Sequence, residues 1–282
     1  MKTIFEEEMN SPTFIFIDGS YFCFYRYYAL TNWWELSHPD EPLEDPINNE
    51  KFVEKFKKTF VEVLQNIKKK LQIDNYINPI MIVGKDCRRE DIWRNEIFPE
   101  YKANREYETF MGGPFFKMAY EDNLFQKGGV KAVIKHPSLE ADDCIALSVK
   151  HVVNKYPKST VYIITSDGDY LQLKAENILI YNLSYKNICE SKKSMGDPKL
   201  DLWIKIMTGD KSDNIPSVFP KCGPKTAIKC YNDKEYFNQK MLEKPEYYKQ
   251  FELNQKLVNF ERIPQNLVDE FMKSICVHSN NI

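Results

Sequence analysis

Apolar runs of strand type alternate with stretches of helical periodicity over the first two-thirds of the chain. Thr13-Phe14-Ile15-Phe16-Ile17 is a continuous β-prone run that stops at Asp18-Gly19-Ser20, a turn and helix-start signal. Lys51 to Leu71 predicts an amphipathic helix: Phe52, Phe56, Phe60, Val63, Leu64, Ile67 and Leu71 share one face while lysines line the other. Pro79 to Val83, Val161 to Thr165 and Asn177 to Tyr181 read as further strands, with a helix from Leu139 to Tyr156 between the second and third. Strands alternating with helices predict an α/β fold around a mostly parallel central sheet. After about Lys199 the strand pattern ends, and helices and loops follow, punctuated by glycine and proline from Gly209 to Pro224. The expected units are therefore an α/β core over 1–200 and a helical lobe over 201–282. The stretch 87–138 is too long for a simple connection and is broken by Gly112-Gly113-Pro114 and Gly128-Gly129. Insertions of that length are lids, arches or binding loops.

Composition narrows the class. In 282 residues, 43% are hydrophobic and 28% charged, enough for a sizeable core and unlike a disordered chain. Lys+Arg total 39 and Asp+Glu 41, so the net charge of -2 excludes a histone-like polycation but not a local basic patch. The 7 cysteines are scattered with no CxxC, which argues against a disulfide framework or a cysteine zinc site and for a reducing compartment. The histidines are isolated. No apolar run approaches the roughly 20 residues of a membrane helix, and the acidic start Met1 to Glu8 shows no signal peptide. A soluble intracellular protein is expected, in a cytoplasm (viral or bacterial settings included) or a nucleus.

The chemistry lies in the carboxylates. Asp18 ends the first strand run, Asp86 follows the second, and Asp167 and Asp169 follow the third. In a parallel sheet the carboxyl ends of the strands share one edge, so these acids converge. Any single one would be read as a helix cap or turn residue; several strand ends doing the same is more than capping needs. Glu140-Ala141-Asp142-Asp143 adds a denser cluster at a helix start, and Asp210 and Asp213 add a last pair. So many carboxylates stay ionised together only beside cations. Hard divalent ions, Mg²⁺ or Mn²⁺, suit an all-oxygen set, and two of them clamp the oxygens of a phosphodiester.

Six ordered motifs along nearly the whole chain resemble the 5′ nuclease family, which includes flap endonucleases and bacteriophage 5′-3′ exonucleases. They are Phe16-Ile17-Asp18-Gly19, Tyr101-Lys102-Ala103-Asn104-Arg105, Glu140-Ala141-Asp142-Asp143, Ser166-Asp167-Gly168-Asp169, Gly209-Asp210-Lys211-Ser212-Asp213-Asn214-Ile215-Pro216 and Lys221-Cys222-Gly223-Pro224-Lys225-Thr226-Ala227. The resemblance implies a PIN-like nuclease core, an arch, and a helix–three-turn–helix over about 206–231. It implies that Asp18, Glu140 and Asp142 hold a first metal ion, with Asp143 shared or behind them, and that Asp167, Asp169, Asp210 and Asp213 serve a second. Asp86 is assigned to the acid that the family carries after its second strand. Asp18 and Asp142, with Lys102 and Arg105 at the scissile phosphate, are the expected catalytic residues. Tyr101 is expected to stack on a base.

Lys225 and Lys229 lie four apart on one helix face after Pro224; with Lys221 and Gly223 they are expected to meet duplex phosphates. In the family this hairpin often binds a monovalent cation, here K⁺. The arch lysines Lys117, Lys127, Lys131 and Lys135 are balanced by Glu106, Glu108, Glu121 and Asp122, so charge alone does not make it a threading channel. In the aromatic run Tyr21 to Tyr28, most side chains are expected in the core, leaving Arg26 as a phosphate candidate. Gln265 to Met272 imperfectly resembles a sliding-clamp-binding motif, and its spacing equally suits a core helix. The expected activity is metal-dependent cleavage of branched or nicked DNA at a 5′ end or flap by a monomer. The alternatives are a PIN-type ribonuclease and an inactive DNA-junction-binding protein.

Overall fold

The computed structural model describes residues 11–105, 110–192 and 194–279. The acidic start Met1 to Glu8 and the arch acids Glu106 and Glu108 lie outside these residues. Five strands, β1 (Thr13–Asp18), β2 (Ile80–Gly84), β3 (Ala132–Ile134), β4 (Thr160–Ile164) and β5 (Ile178–Tyr181), form one sheet in the order β3-β2-β1-β4-β5. Every pairing is parallel. The helices are α1 (Gly19–Ser37), α2 (Glu50–Lys70), the turn α3 (Arg94–Ile97), α4 (Gly113–Glu121), the turn α5 (Leu124–Lys127) and α6 (Ala141–Lys155), followed by α7 (Pro198–Thr208), α8 (Pro224–Asn232), α9 (Lys234–Leu242), α10 (Pro245–Val258) and α11 (Gln265–Ser279).

β1 is central and covered on both faces, which is why it reads as an unbroken apolar run. Its Ile15 and Ile17 face α1, α2, α4 and α5, and its Phe14 and Phe16 face α6 and α11. On α2, Phe52, Phe56, Phe60, Leu64 and Ile67 are all buried, as the periodicity predicts. Each such burial contributes about 1.5–3 kcal/mol.

Three expectations change. β3 escapes the sequence reading because it is three half-buried residues on the sheet edge, too short for a periodic signal. It lies inside 87–138, as do Phe115 and Phe125, both fully buried, so the second half of that stretch is core. The helical lobe also stops short of the chain's end. Phe260, Ile263 and Phe271 bury into the α/β layer, so α11 belongs to the core. Finally, Phe271 is fully buried, with Leu267, Val268 and Met272 packed alongside. The clamp-like spacing serves the core. No described helix is long and apolar enough to cross a membrane.

Candidate metal and nucleic-acid site

The strand ends lie level. Asp18 pairs across from Gly84, and Ile17 across from Ile164. A Cβ on Gly19 would come within 2.5 Å of the Gly84 carbonyl, so only glycine lets α1 start this close to the end of β2. That approach puts Ser20 against Asp86, whose Oδ2 accepts the serine hydroxyl. The Ala141 N–H donates to Asp86 Oδ1 at 2.7 Å, tying the acid after β2 to the start of α6. Asp18 caps α1 by accepting from Tyr21 N at 3.0 Å. Its Oδ2 lies 3.4 Å from the Thr165 hydroxyl and 3.3 Å from the Tyr170 hydroxyl. Thr165 also accepts from Asp167 N at 3.1 Å, which links Asp167 to Asp18. At the α6 start, Glu140, Asp142 and Asp143 place one carboxylate oxygen each within 4.8 Å of one another.

Protein cations reach part of this set. Arg94, 2% exposed, donates to both oxygens of Asp143 at 2.7 Å, to Glu140 at 2.9 Å and, through Nε, to the Leu257 carbonyl. Trp93 Nε1 adds a bond to Asp143 at 2.9 Å. With both oxygens engaged, Asp143 stands behind the cluster and positions Arg94 instead of facing the cleft. Lys102 Nζ lies 2.5 Å from Glu140, and Arg105 Nη2 lies 2.5 Å from Asp213. Lys205 pairs with Asp169 and, at 2.8 Å, with Asp210.

Tyr101 departs from its expected role. It is 5% exposed and its hydroxyl lies 3.0 Å from Glu140 and 3.3 Å from Asp213. A phenol held by two buried carboxylates is an interior strut, and its ring offers no stacking face. The same segment is laced to the loop after α7: Asn104 donates to the Lys211 carbonyl, Arg105 to the Ser212 carbonyl, and Asn214 to the Glu100 carbonyl. Gly209 makes this loop possible, because φ of 68° and an Ile215 oxygen 2.3 Å from any Cβ exclude other residues. Asp210 and Asp213 are thereby turned toward the core.

The electrostatics separate two groups of acids. Burial, then Asp86 and Asp167, raise Asp18 to about 7. Burial raises Asp86 too, and burial with Asp143 and Glu140 raises Asp142 well above the ordinary range. Tyr170 is fully buried with its hydroxyl 3.3 Å from Asp18, and burial, then Asp18, Asp142, Asp167 and Asp86, push its ionisation up. For Glu140, burial also pushes upward, yet Lys102 and Arg94 outweigh it and hold the group low. Asp210 is likewise held at about 2, against burial, by Lys205 and Ser212. Among the described residues, Asp18, Asp86, Asp142 and Asp167 form no ion pair. Lys102 acts on Asp86, and Arg94 and Lys102 act on Asp142, without pairing with them. Oxygen donors without a direct ion pair, and without His or Cys in the set, fit a hard divalent ion.

In the helical lobe, Lys221, Lys225 and Lys229 are exposed, and a Cβ at Gly223 would meet nothing within 4 Å. Lys229 rests its ammonium 3.7 Å from the Tyr236 ring centroid, which leaves Lys225 the more available of the pair. Arg26, the phosphate candidate, is half-buried and its Nη2 donates to Thr59 on α2 at 2.9 Å. Sequence reasoning missed Arg94, Lys205, Ser20 and Tyr170. For the two cations a signal existed, since a cluster of acids requires partners, but nothing in the local pattern says which Arg or Lys supplies them.

Comparison with known proteins gives the family and the fold. The family of the 5′-3′ exonuclease N-terminal resolvase-like domain matches residues 13–201. A 5′-3′ exonuclease of Buchnera aphidicola subsp. Acyrthosiphon pisum is 31% identical over 223 residues, covering 78% of this chain and 69% of that protein. A protein named Ribonuclease H from Enterobacteria phage T4 is 27% identical over 234 residues, covering 74% of each chain. The fold is shared with the bacteriophage T5 flap endonuclease, solved as a pseudo-enzyme–product complex with DNA and metal ions, at a TM-score of 0.63 and 19% identity over 94% of this chain and 98% of that one. This chain belongs to the 5′-3′ exonuclease family.

Proposed function

We propose that the protein is a structure-specific 5′ nuclease that hydrolyses a phosphodiester bond of branched or nicked DNA at a 5′ end or flap, in replication, repair or recombination. One observation carries the reading: at the carboxyl edge of the sheet Asp18 is linked to Asp167 through Thr165, Asp86 is tied to the start of α6 that carries Asp142, and among the described residues none of these four acids forms an ion pair. Buried carboxylates hold their charge only beside a cation. In this reading Asp18, Asp86, Glu140 and Asp142 hold one Mg²⁺ or Mn²⁺, and Asp167, Asp169, Asp210 and Asp213 a second. Bound there, such ions supply an activated water and neutralise a leaving oxygen.

The chain's own residues do the rest. Asp143 fixes Arg94, and Arg94 fixes Glu140. Ser20 and the Ala141 N–H orient Asp86, and Tyr170 and Thr165 orient Asp18. Lys102 and Arg105 stand at the lip of the cleft, ion-paired to Glu140 and Asp213, and exchange those partners for the scissile phosphate. Lys221, Lys225 and Lys229, with the open backbone at Gly223, hold the duplex phosphates without reading bases, and a K⁺ ion at the same hairpin would strengthen that grip.

The test is cleavage of a 5′-flap DNA with Mg²⁺, with excess chelator, and by Asp142→Asn. Cleavage that needs Mg²⁺ and is lost in the variant, with DNA binding retained, is the expected result. Full cleavage in chelator would overturn the mechanism, and binding without any cleavage would leave a junction-binding protein. The name of the phage T4 relative favours one further substrate, an RNA 5′ strand paired to DNA. Preference for it over the DNA flap would move the reading to primer removal.

A further inference from the structure

The cations of the site differ in what they span. Arg94 reaches two acids of the α6 start, Lys102 holds Glu140 at 2.5 Å and lies 3.9 Å from Asp213, and Arg105 reaches Asp213. Lys205 bridges two acids from separate units: Asp169 in the turn after β4 and Asp210 in the loop after α7. Only 20% of its side chain is exposed, and Asp169 and Asp210 are 11% and 20% exposed. Asp210 Oδ1 is in turn taken by the Ser212 N–H at 2.7 Å and hydroxyl at 2.6 Å. Asp210 is thus engaged at both oxygens by donors of the protein itself, and Asp169 through Oδ1. At the α6 start, Glu140 and Asp142 place a carboxylate oxygen each within 4.8 Å of one another, with Asp143 turned to Arg94 behind them, and Asp142 forms no ion pair among the described residues.

We propose that Lys205 is a tethered counter-ion that keeps the Asp169–Asp210 pair closed to a divalent cation until a phosphate of bound nucleic acid draws its ammonium away. The inference rests on the metal reading above. An ammonium between two carboxylates neutralises them and blocks the approach of a competing ion. Displacing it breaks two partly buried ion pairs, which is costly unless the released cation gains a new anionic partner. A DNA phosphate is such a partner. The first ion therefore binds the free protein, and the second binds well only alongside DNA. By linkage, DNA then binds more tightly when the second ion is present.

The experiment is Mn²⁺ titration of the DNA-free protein, with free Mn²⁺ followed by electron paramagnetic resonance. Wild type, Lys205→Met, Lys205→Gln and Lys205→Arg are compared, each checked for an intact melting transition. Wild type should show one tight site and a weaker second. Lys205→Met and Lys205→Gln should tighten the second site by about tenfold or more, as expected when an ion-paired competitor is removed. Lys205→Arg, which keeps the charge, should not. Adding an uncleavable 5′-flap DNA should tighten the second site in wild type and have little further effect in Lys205→Met. A second site unchanged by Lys205→Met and Lys205→Gln, or two equally tight sites in wild type, would overturn the inference. Asp142→Asn separates the two readings. If it leaves the tight site intact, the assignment of the first ion fails, while the comparison at Lys205 still decides the second.

Discussion

Among the described residues, Glu140, Asp143, Asp169, Asp210 and Asp213 each lie within ion-pair distance of an arginine or lysine, whereas Asp18, Asp86, Asp142 and Asp167 do not. The two sets answer to opposite physics. In the matched set, Lys102, Arg94 and Lys205 hold Glu140 and Asp210 low despite burial. In the unmatched set, burial and like charge push Asp18, Asp86 and Asp142 up. The matched acids join the segment 94–105, the start of α6 and the loop after α7, so they hold units together. The unmatched acids have no such partner among the described residues, and the proposed ions would supply it.

The comparison breaks most visibly at Asp142. Asp142→Asn should slow single-turnover cleavage by about a thousandfold or more, since a metal ligand stabilises the transition state by several kcal/mol. DNA affinity, measured by fluorescence anisotropy, should change little. Equal loss of both would mean that the metal also organises the DNA site. On the matched side, Arg94→Met should cost stability, about 3–5 kcal/mol in urea unfolding, because Asp143 and Glu140 keep their burial and lose their partner. Arg94→Met with Asp143→Leu should recover part of that loss. No recovery would show that Glu140, and not Asp143, is the acid that Arg94 chiefly serves.

Acidity sharpens the contrast. Asp18 has its folded value near 7 against an ordinary 3.8, so the folded state holds the proton more tightly. Its stability contribution is full below 3.8 and is lost as the pH rises through about 7. Asp86 and Asp142 act in the same direction, and the lowered Glu140 and Asp210 oppose them. A divalent ion held by these acids, as proposed, would replace the lost proton. The rise in Tm on adding Mg²⁺ should therefore be larger at about pH 8 than at about pH 5.5, by a few degrees, at about 2–4 °C per kcal/mol. A rise that is equal at both would mean that the ion does not compete with these protons.

The smallest effect belongs to the lobe. Replacing Lys225 and Lys229 with Ala should lower duplex affinity similarly for unrelated sequences and flatten the log–log salt slope by about 0.9 per lost contact. The saturated single-turnover rate should stay near wild type. Because Lys229 rests on Tyr236, Lys225→Ala alone should account for most of the change. A collapsed rate would place this face at the scissile phosphate.

Much of the core was legible in the sequence. β1, β2, β4 and β5, the Phe52–Phe56–Phe60 stripe and the start of α6 all follow from hydrophobic period and turn residues, which act over a few positions. Asp86 was legible as an acid after β2, and its place beside Ser20 and Ala141 was not. Tyr101 looked like a stacking residue because nothing local says that its hydroxyl reaches Glu140, 39 positions away. β3 and the return of α11 to the sheet were hidden for a related reason: each is defined by what it packs against.

The sequence alone determined an α/β protein with acids at its strand ends, because strand direction and side-chain period force those acids to one edge. Only the tertiary structure decided which acids are neutralised from within. Arg94 meets Asp143 across 49 positions and Lys205 meets Asp169 across 36. Coulomb attraction of that kind depends on distance in space and on burial, and neither is written in the order of residues along the chain.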